Sequence, residues 1–217
     1  MAPTDTTTKP GATAKPAIPG QRVLRADAQR NRDAVIAAAR KLFAEHGDDT
    51  QMDDIARKAK VGVGTVYRHF PTKDDLLQAL IEKRFETLAE RAAAAVAEAR
   101  EGDSWTAFRE YILWSAELQS RDRALSQAMA GRSEKMACAA EESGLVDECN
   151  LLIDVCKRKG VLRKDFEMED IPAMVCSVGA VAMAASEKPR MRWERTVAIW
   201  LDGVRAPAAS MLPPIPD

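Results

Sequence analysis

An all-α fold of about nine helices is predicted by three features of the 217-residue sequence. Alanine, the strongest helix former, occurs 38 times. Eight of the eleven prolines lie at the two ends, so residues 21–206 keep only Pro71, Pro172 and Pro189. Between those ends, apolar residues recur at helical spacing.

Composition also excludes several function classes. The four cysteines, Cys138, Cys149, Cys156 and Cys176, have no CxxC spacing and are accompanied by only two histidines. No metal site, cofactor or disulfide framework is therefore expected, and Cys149 and Cys156, seven apart on one helix face, read as buried structural thiols. The longest uncharged stretch, Ile171 to Ser186, is 16 residues and is interrupted by Pro172. A membrane span needs ~20 apolar residues, and the N-terminus has no apolar signal-peptide core. A cytoplasmic protein with no membrane partner is expected. The net charge of −1 hides an asymmetry. Residues 1–73 carry 13 basic and 8 acidic groups, against 19 and 25 in residues 74–217.

The elements follow in order. Residues 1–24, rich in Pro, Thr, Ala and Gly, read as a disordered basic arm. Helix is expected from about Asp27, with Val35, Ile36, Ala39, Leu42 and Phe43 on one face and Gly47 as its stop. Thr50 is the expected cap of a second helix, with Asp53 completing a capping box. Met52, Ile55, Ala56 and Ala59 form its inner face, and Val61-Gly62-Val63-Gly64 ends it. A short third helix runs from about Gly64 to Phe70. Pro71 stops it, and Thr72 caps a long fourth helix with the stripe Leu77, Ile81, Phe85, Leu88, Ala92, Val96. Gly102 breaks that helix and Ser104 caps a fifth. One or two helices fill residues 123–160, with Gly131, Gly144 and Gly160 as breaks. An acidic lead-in and Pro172 open a helix running to Ser186, and a last helix carries Trp193, Val197, Trp200, Leu201 and Val204. Residues 207–217 read as a disordered tail.

Helix, tight turn and short helix over residues 51–70 make a helix-turn-helix, whose second helix enters the DNA major groove with its N-terminal residues first. Gly62 and Gly64 keep the helix start small enough to approach a base edge. Val63 and Thr65 offer an apolar group, a methyl and a hydroxyl there. Tyr67, Arg68 and His69 form a polar, partly cationic second half, and Lys73 is positioned to meet phosphate. Arg22, Arg25, Arg30 and Arg32 add a basic approach suited to phosphates or a narrow minor groove. The cationic third of the chain thus matches DNA, and the acidic remainder is expected to stay away from it.

Residues 61–77, VGVGTVYRHFPTKDDLL, resemble the DNA-binding signature of the TetR family of transcriptional regulators. The preceding RNRDAVIAAARKLFAEHGDDTQMDDIARKAK is similar to that family's first two helices. The resemblance covers about residues 25–80. It implies an Ω-shaped all-helical homodimer: a three-helix DNA-binding domain over residues 25–71, then a larger ligand-sensing and dimerisation bundle over residues 72–206. By matching position, the family's DNA contacts fall on Thr50, Gln51, Val63, Gly64, Thr65, Tyr67, Arg68, His69 and Lys73. Two departures stand out. The second helix commonly opens with paired Thr/Ser, where this chain has Thr50-Gln51. The turn usually reads Ala-Gly-Val, where it has Ala59-Lys60-Val61, which either strains the turn or adds a cation near DNA.

The C-terminal residues carry no comparable motif. Their methionines, with Trp105, Phe108, Trp114 and Cys156, suit an adaptable apolar pocket. Trp105, Phe108, Trp114, Met129, Met136, Cys156 and Met174 are the candidate lining for an unknown small-molecule effector. The run from Ala173 to Ser186 is apolar or small on all sides, so it must be buried all round. With Trp193, Val197, Trp200 and Val204 it offers a self-complementary patch, and the resemblance implies a homodimer through these last two helices, about 170–186 and 190–205. The expected function is a repressor of a double-stranded DNA operator, released by its effector. The alternatives are a small-molecule-converting enzyme, a protein-interaction adaptor without operator specificity, and a non-specific architectural DNA binder. The enzyme lacks support, because the C-terminal region has no His and no paired metal-ligand spacing, and the acidic remainder disfavours the architectural binder.

Overall fold

The computed structural model describes residues 19–122, 131–184, 192–207 and 210–213. Among these the chain forms nine α-helices: α1 (Pro19–His46), α2 (Met52–Ala59), α3 (Val63–His69), α4 (Lys73–Glu101), α5 (Ser104–Arg121), α6 (Ser133–Glu142), α7 (Leu145–Arg158), α8 (Asp170–Ala184) and α9 (Trp193–Val204). The all-α expectation holds, and no helix of the described residues is long and apolar enough to cross a membrane.

Helix α1 starts at Pro19 rather than near Asp27. Proline is at home in a first turn, and Gln21 to Ala26 contains good helix formers, so nothing stops the helix from extending back. The expected disordered arm therefore overlaps α1, and residues 1–18 lie outside the described residues. The inner face of α1 is the predicted one: Val35 and Phe43 are fully buried, with Ile36, Ala39 and Leu42 beside them. Gly47, at φ +56°, turns the chain into a 3₁₀ turn over Gly47–Asp49.

Two predicted caps move by one residue. The N-cap of α2 is Gln51, and no Thr50–Asp53 capping box forms. Thr50 instead donates its hydroxyl to the Gly47 carbonyl at 2.8 Å, closing the turn before α2. Likewise Asp103, not Ser104, caps α5, accepting from the Trp105 and Thr106 N–H groups at 3.0 and 3.3 Å. A carboxylate is a stronger acceptor than a hydroxyl at the positive end of a helix. The Thr72 cap of α4 is present as expected, in a capping box with Asp75.

Helix α4 is shared by two hydrophobic cores. Its first half places Leu76, Leu77, Leu80 and Ile81 among the side chains of α1, α2 and α3. Its second half places Ala89, Ala92, Ala95, Val96 and Ala99 against the C-terminal bundle, and Phe85 touches both cores. Lys159 closes its far end, donating to the carbonyls of Ala99, Arg100 and Gly102 at 2.7–3.1 Å. A cation satisfying those last carbonyls also complements the helix dipole.

Three further features depart from expectation. Helix α6 crosses to the N-terminal core: Ala139 is buried in it, and Arg132 and Lys135 pair with Asp74 in the first turn of α4. Helix α8 is buried on one side only, through Ile171, Met174 and Val178, while Ala173, Cys176, Ser177 and Ala180 are exposed. On α9, Val197, Leu201 and Val204 serve the subunit's own core rather than an external patch, and Ile199 is the large exposed residue, at 63%. Part of the predicted tail is also tied down. Arg163, itself buried, reaches the carbonyls of Gly203 and Ser210 and forks onto Asp165, which accepts the Leu212 N–H at 2.7 Å. That fork and the Leu212 N–H hold the Asp165 carboxyl well below the usual carboxylate range.

Lys60 ends α2 in the left-handed region, at φ +58° and ψ +38°. The αL position costs an L residue ~1–2 kcal/mol, and glycine would return part of that gain through a freer unfolded chain. Lys60→Gly is expected to raise stability by ~0.5–1 kcal/mol in urea denaturation. The thiols give a second check. Burial pushes Cys149 up to about 11 and Cys156 up to about 12, whereas Cys138 is exposed. Glu142 raises the Cys138 thiol as well, but because that thiol is exposed, a thiol reagent should modify it ahead of Cys149 and Cys156, which it reaches only at the rate of unfolding.

Candidate DNA-binding surface

Helix α3 is held by its inner face. Val66 is fully buried and Phe70, four residues on, is 2% exposed, both in the N-terminal core. The guanidinium of Arg32, on α1, lies 5.4 Å from the Phe70 ring centroid and covers it. Anchoring Val66 and Phe70 turns the opposite face of the helix outward. Val63 is 41% and Tyr67 46% exposed, with Gly64 and Arg68 exposed next to them. Four consecutive-turn positions thus present an apolar tip, a bare backbone, a phenol and a guanidinium on one side.

The start of this helix is open. Gly62 is its N-cap, in extended conformation, with no side-chain cap. The Thr65 N–H already turns back to the Gly62 carbonyl at 2.8 Å, and the N–H groups before it have no intrahelical acceptor by helix geometry. A Cβ built on Gly64 meets nothing within 4 Å. Nothing in the protein itself thus requires a glycine there, so its missing side chain matters only to something approaching from outside.

The other candidates are placed differently. Thr65 is half-buried, and Gln51 is exposed, its amide donating to the Asp49 carbonyl at 3.0 Å. Thr50 is 4% exposed and spends its hydroxyl on Gly47, so it lies beneath the surface rather than on it. The Lys73 ammonium donates to the Asp48 carbonyl, lies 3.7 Å from the Asp48 carboxylate and stands 5.4 Å from the Phe43 ring centroid. In this state it ties the start of α4 to the turn after α1. His69 is half-buried with a buried, unpartnered Nε2, and burial first, then Arg68 and Arg32, lower its pKa. Its imidazole therefore adds no cation to the face at neutral pH.

The candidate effector residues separate into groups. Trp105, Phe108, Cys156 and Met174 do meet in the C-terminal core. Phe108 is its centre: it stacks with Trp105 at 6.1 Å and with Trp200 at 6.4 Å, and it meets the edge of Phe166 at 5.9 Å. Phe166 and Trp200 were not candidates from sequence. Phe166 stood alone in an acidic stretch, and Trp200 read as an external residue of α9. Met136 belongs elsewhere, packed on the N-terminal core through α6. Trp114 is half-buried on α5, and Met129 lies outside the described residues. A buried Tyr111 hydroxyl, 3.3 Å from the Cys149 sulfur, adds a polar pair to this core. No group of three His, Cys, Asp or Glu among the described residues is arranged to hold a metal ion.

Comparison with known proteins agrees with this geometry. Residues 35–80 match the family model described as bacterial regulatory proteins, tetR family. Residues 103–206 match the model described as transcriptional regulator SbtR-like, C-terminal domain. A TetR transcription regulatory protein from Mycobacterium vanbaalenii is 33% identical, with a TM-score of 0.63 over 84% of this chain and 99% of its own. SmeT, solved in complex with triclosan and described as the repressor of a Stenotrophomonas maltophilia multidrug efflux pump, shares the fold at 20% identity, with a TM-score of 0.57 over 86% of this chain and 99% of its own. The HTH-type transcriptional regulator SAR0097 of Staphylococcus aureus is 39% identical over 71 residues, 31% of this chain and 37% of that protein, so this likeness spans little more than a third of the relative. With both parts of the chain matched and a relative aligned over nearly its full length, the protein belongs to the TetR family of bacterial DNA-binding transcriptional regulators.

Proposed function

We propose that the protein is a repressor that binds a near-palindromic operator as a homodimer, one α3 helix per half-site, and releases it when a small apolar effector enters the C-terminal bundle. The outward face of α3 carries this reading, since Val63, Gly64, Tyr67 and Arg68 together offer what a major-groove contact uses. Val63 and Thr65 suit a thymine methyl or a base edge, Arg68 a guanine edge or a phosphate, and Gln51 and the open N-terminus of α3 the phosphates beside it. Lys73 joins them on giving up Asp48. Two readers on a two-fold axis would address half-sites about 34 Å apart, one turn of DNA.

The effector is proposed to enter beside Trp105, Phe108, Cys156 and Met174, with Trp114 as further lining. An aromatic cluster of this kind favours flat, apolar molecules. SmeT, similar in fold, is described as a repressor and was solved in complex with triclosan. Release follows if the effector binds best to a conformation in which the readers are wrongly spaced, because the population then shifts away from the DNA-binding form. The family is one of regulators, so the enzyme alternative falls; the adaptor alternative predicts no operator preference.

The dimer is proposed to form through α8 and α9. Ala173, Cys176, Ser177 and Ala180 lie at i, i+3, i+4 and i+7, a small-residue face that admits another helix closely, and Ile199 stands exposed on α9.

Selection from random DNA should return a palindromic site. In gel shifts on it, Tyr67→Ala and Arg68→Ala are each expected to cost ~1–3 kcal/mol, about 5–150-fold in affinity, with Arg68→Ala also lowering the salt slope by about 1 if it meets phosphate. Gly64→Ala should leave the fold intact and still weaken binding. Weak, sequence-independent binding unaltered by these changes would favour the adaptor. For the dimer, Ile199→Asp should give monomers in sedimentation and faster labelling of Cys176; an unchanged dimer would place the interface elsewhere.

A further inference from the structure

A small cavity, about 40 Å³, lies where the DNA reader meets the C-terminal bundle. Its walls include Ile36 and Arg40 of α1, Lys83 and Arg84 of α4, and Leu118 and Asp122 at the end of α5. Among the described residues, three cations thus share the walls with one carboxylate. Arg40 Nη2 donates to Asp122 Oδ2 at 2.7 Å. Arg84 Nη1 stands 4.0 Å from the same oxygen, beyond hydrogen-bonding range, and although buried it has no hydrogen-bond partner among the described residues. The Arg84 side chain is only 10% exposed, and another of its N–H groups goes to the Gln119 side-chain oxygen. Lys83, at the exposed edge, pairs with Glu86 at 2.9 Å, and Glu90 and Asp33 also favour its charge. Asp122 and Gln119 both have further partners, so neither is reserved for Arg84.

This arrangement leaves a charge and a donor uncompensated. Removing a guanidinium from water is costly unless its donors are met, and here burial lowers the Arg84 pKa while Asp122 only partly opposes it. The cavity has room for about one water or the head of a small anion. A water would satisfy a donor and leave the charge imbalance; an oxyanion would answer both, and Arg is the side chain suited to a carboxylate or phosphate fork. We propose that this cavity is a second ligand site, distinct from the aromatic cluster, that takes the carboxylate or phosphate group of a small molecule between Arg40, Lys83 and Arg84. The bound anion competes with Asp122 for Arg40, the contact that joins α1 of the reader to α5 of the bundle. Occupancy therefore alters how the reader is held. This last step rests on the DNA-binding reading; the binding itself does not.

The test uses the full chain without DNA, at constant ionic strength set with sodium chloride. Inorganic phosphate and acetate are titrated separately while Tm is followed. At about ten times the Kd, a bound anion should raise Tm by ~3–6 °C, and the rise should saturate. The better of the two anions identifies a phosphorylated or a carboxylate ligand. Arg40→Gln and Lys83→Gln, both at the exposed edge, should each weaken binding several-fold, and Arg84→Gln should abolish it. Arg68→Gln, on the DNA face, should leave it unchanged. No saturable shift with either anion, or a shift equal in all variants, would mean that the cavity holds only water and overturns the proposal. Loss of the shift in Arg68→Gln would assign phosphate to the DNA face and overturn it as well.

Discussion

The structure depends on α4 being one uninterrupted helix with a core on each half. At ~1.5 Å per residue its 29 residues reach about 43 Å. Leu76, Leu77, Leu80 and Ile81 commit its first half to the reader, and Ala89 through Ala99 commit its second half to the bundle. Both ends are closed, by the Thr72–Asp75 box and by Lys159 on the last carbonyls. A helix fixed in this way is a continuous apolar link between the bundle and the reader. The alanines of its second half allow α5 and α7 to approach closely, which makes that packing sensitive to small shifts.

The reader is held together for a related reason. Three helices bury one shared face, and α3, with only seven residues, has no stability of its own. Val66 and Phe70 hold it, and everything pointing the other way is available for DNA. Lys60 in the left-handed turn is a local cost of holding α2 and α3 at this angle. Beyond α4, the reader touches the bundle through α6, with Arg132 and Lys135 on Asp74, and through Arg40 on Asp122. The ion pairs among these contacts are polar and partly exposed, although Ala139 and Met136 of α6 also pack on the reader's core. Each ion pair is weak enough to break during a conformational change, unlike the apolar α4 contacts.

Much of the fold was legible in residues 27–101. The spacing of Val35, Ile36, Ala39, Leu42 and Phe43 named the buried face of α1, and Gly47, Gly62, Pro71 and Thr72 marked the breaks, because local backbone chemistry decides where helices end. Of the residues expected to face outward on α3, Val63, Gly64, Tyr67 and Arg68 are exposed and Thr65 and His69 are half-buried, because Val66 and Phe70 anchor the helix. Within the same region, Thr50 and Lys73 each have an internal partner that the sequence analysis did not foresee. Their partners, Gly47 and Asp48, come from a 3₁₀ turn that the sequence does not announce. The bundle was less legible. Met136 and Trp114 have the right chemistry for a pocket, but which core a methionine or tryptophan joins depends on where its helix crosses others.

By itself, then, the sequence determined the all-α class, most helix ends, the buried face of α1, and the family signature. All of these arise from interactions between residues a few positions apart, where spacing and geometry are nearly the same thing. Only the tertiary structure decided that α6 packs on the reader, that Phe166 and Trp200 close around Phe108, and that Arg40, Arg84 and Asp122 converge between the two parts. Those groups are 34 to 92 residues apart in the chain. Their meeting depends on helix crossings set by the summed packing of both cores, which no local pattern encodes.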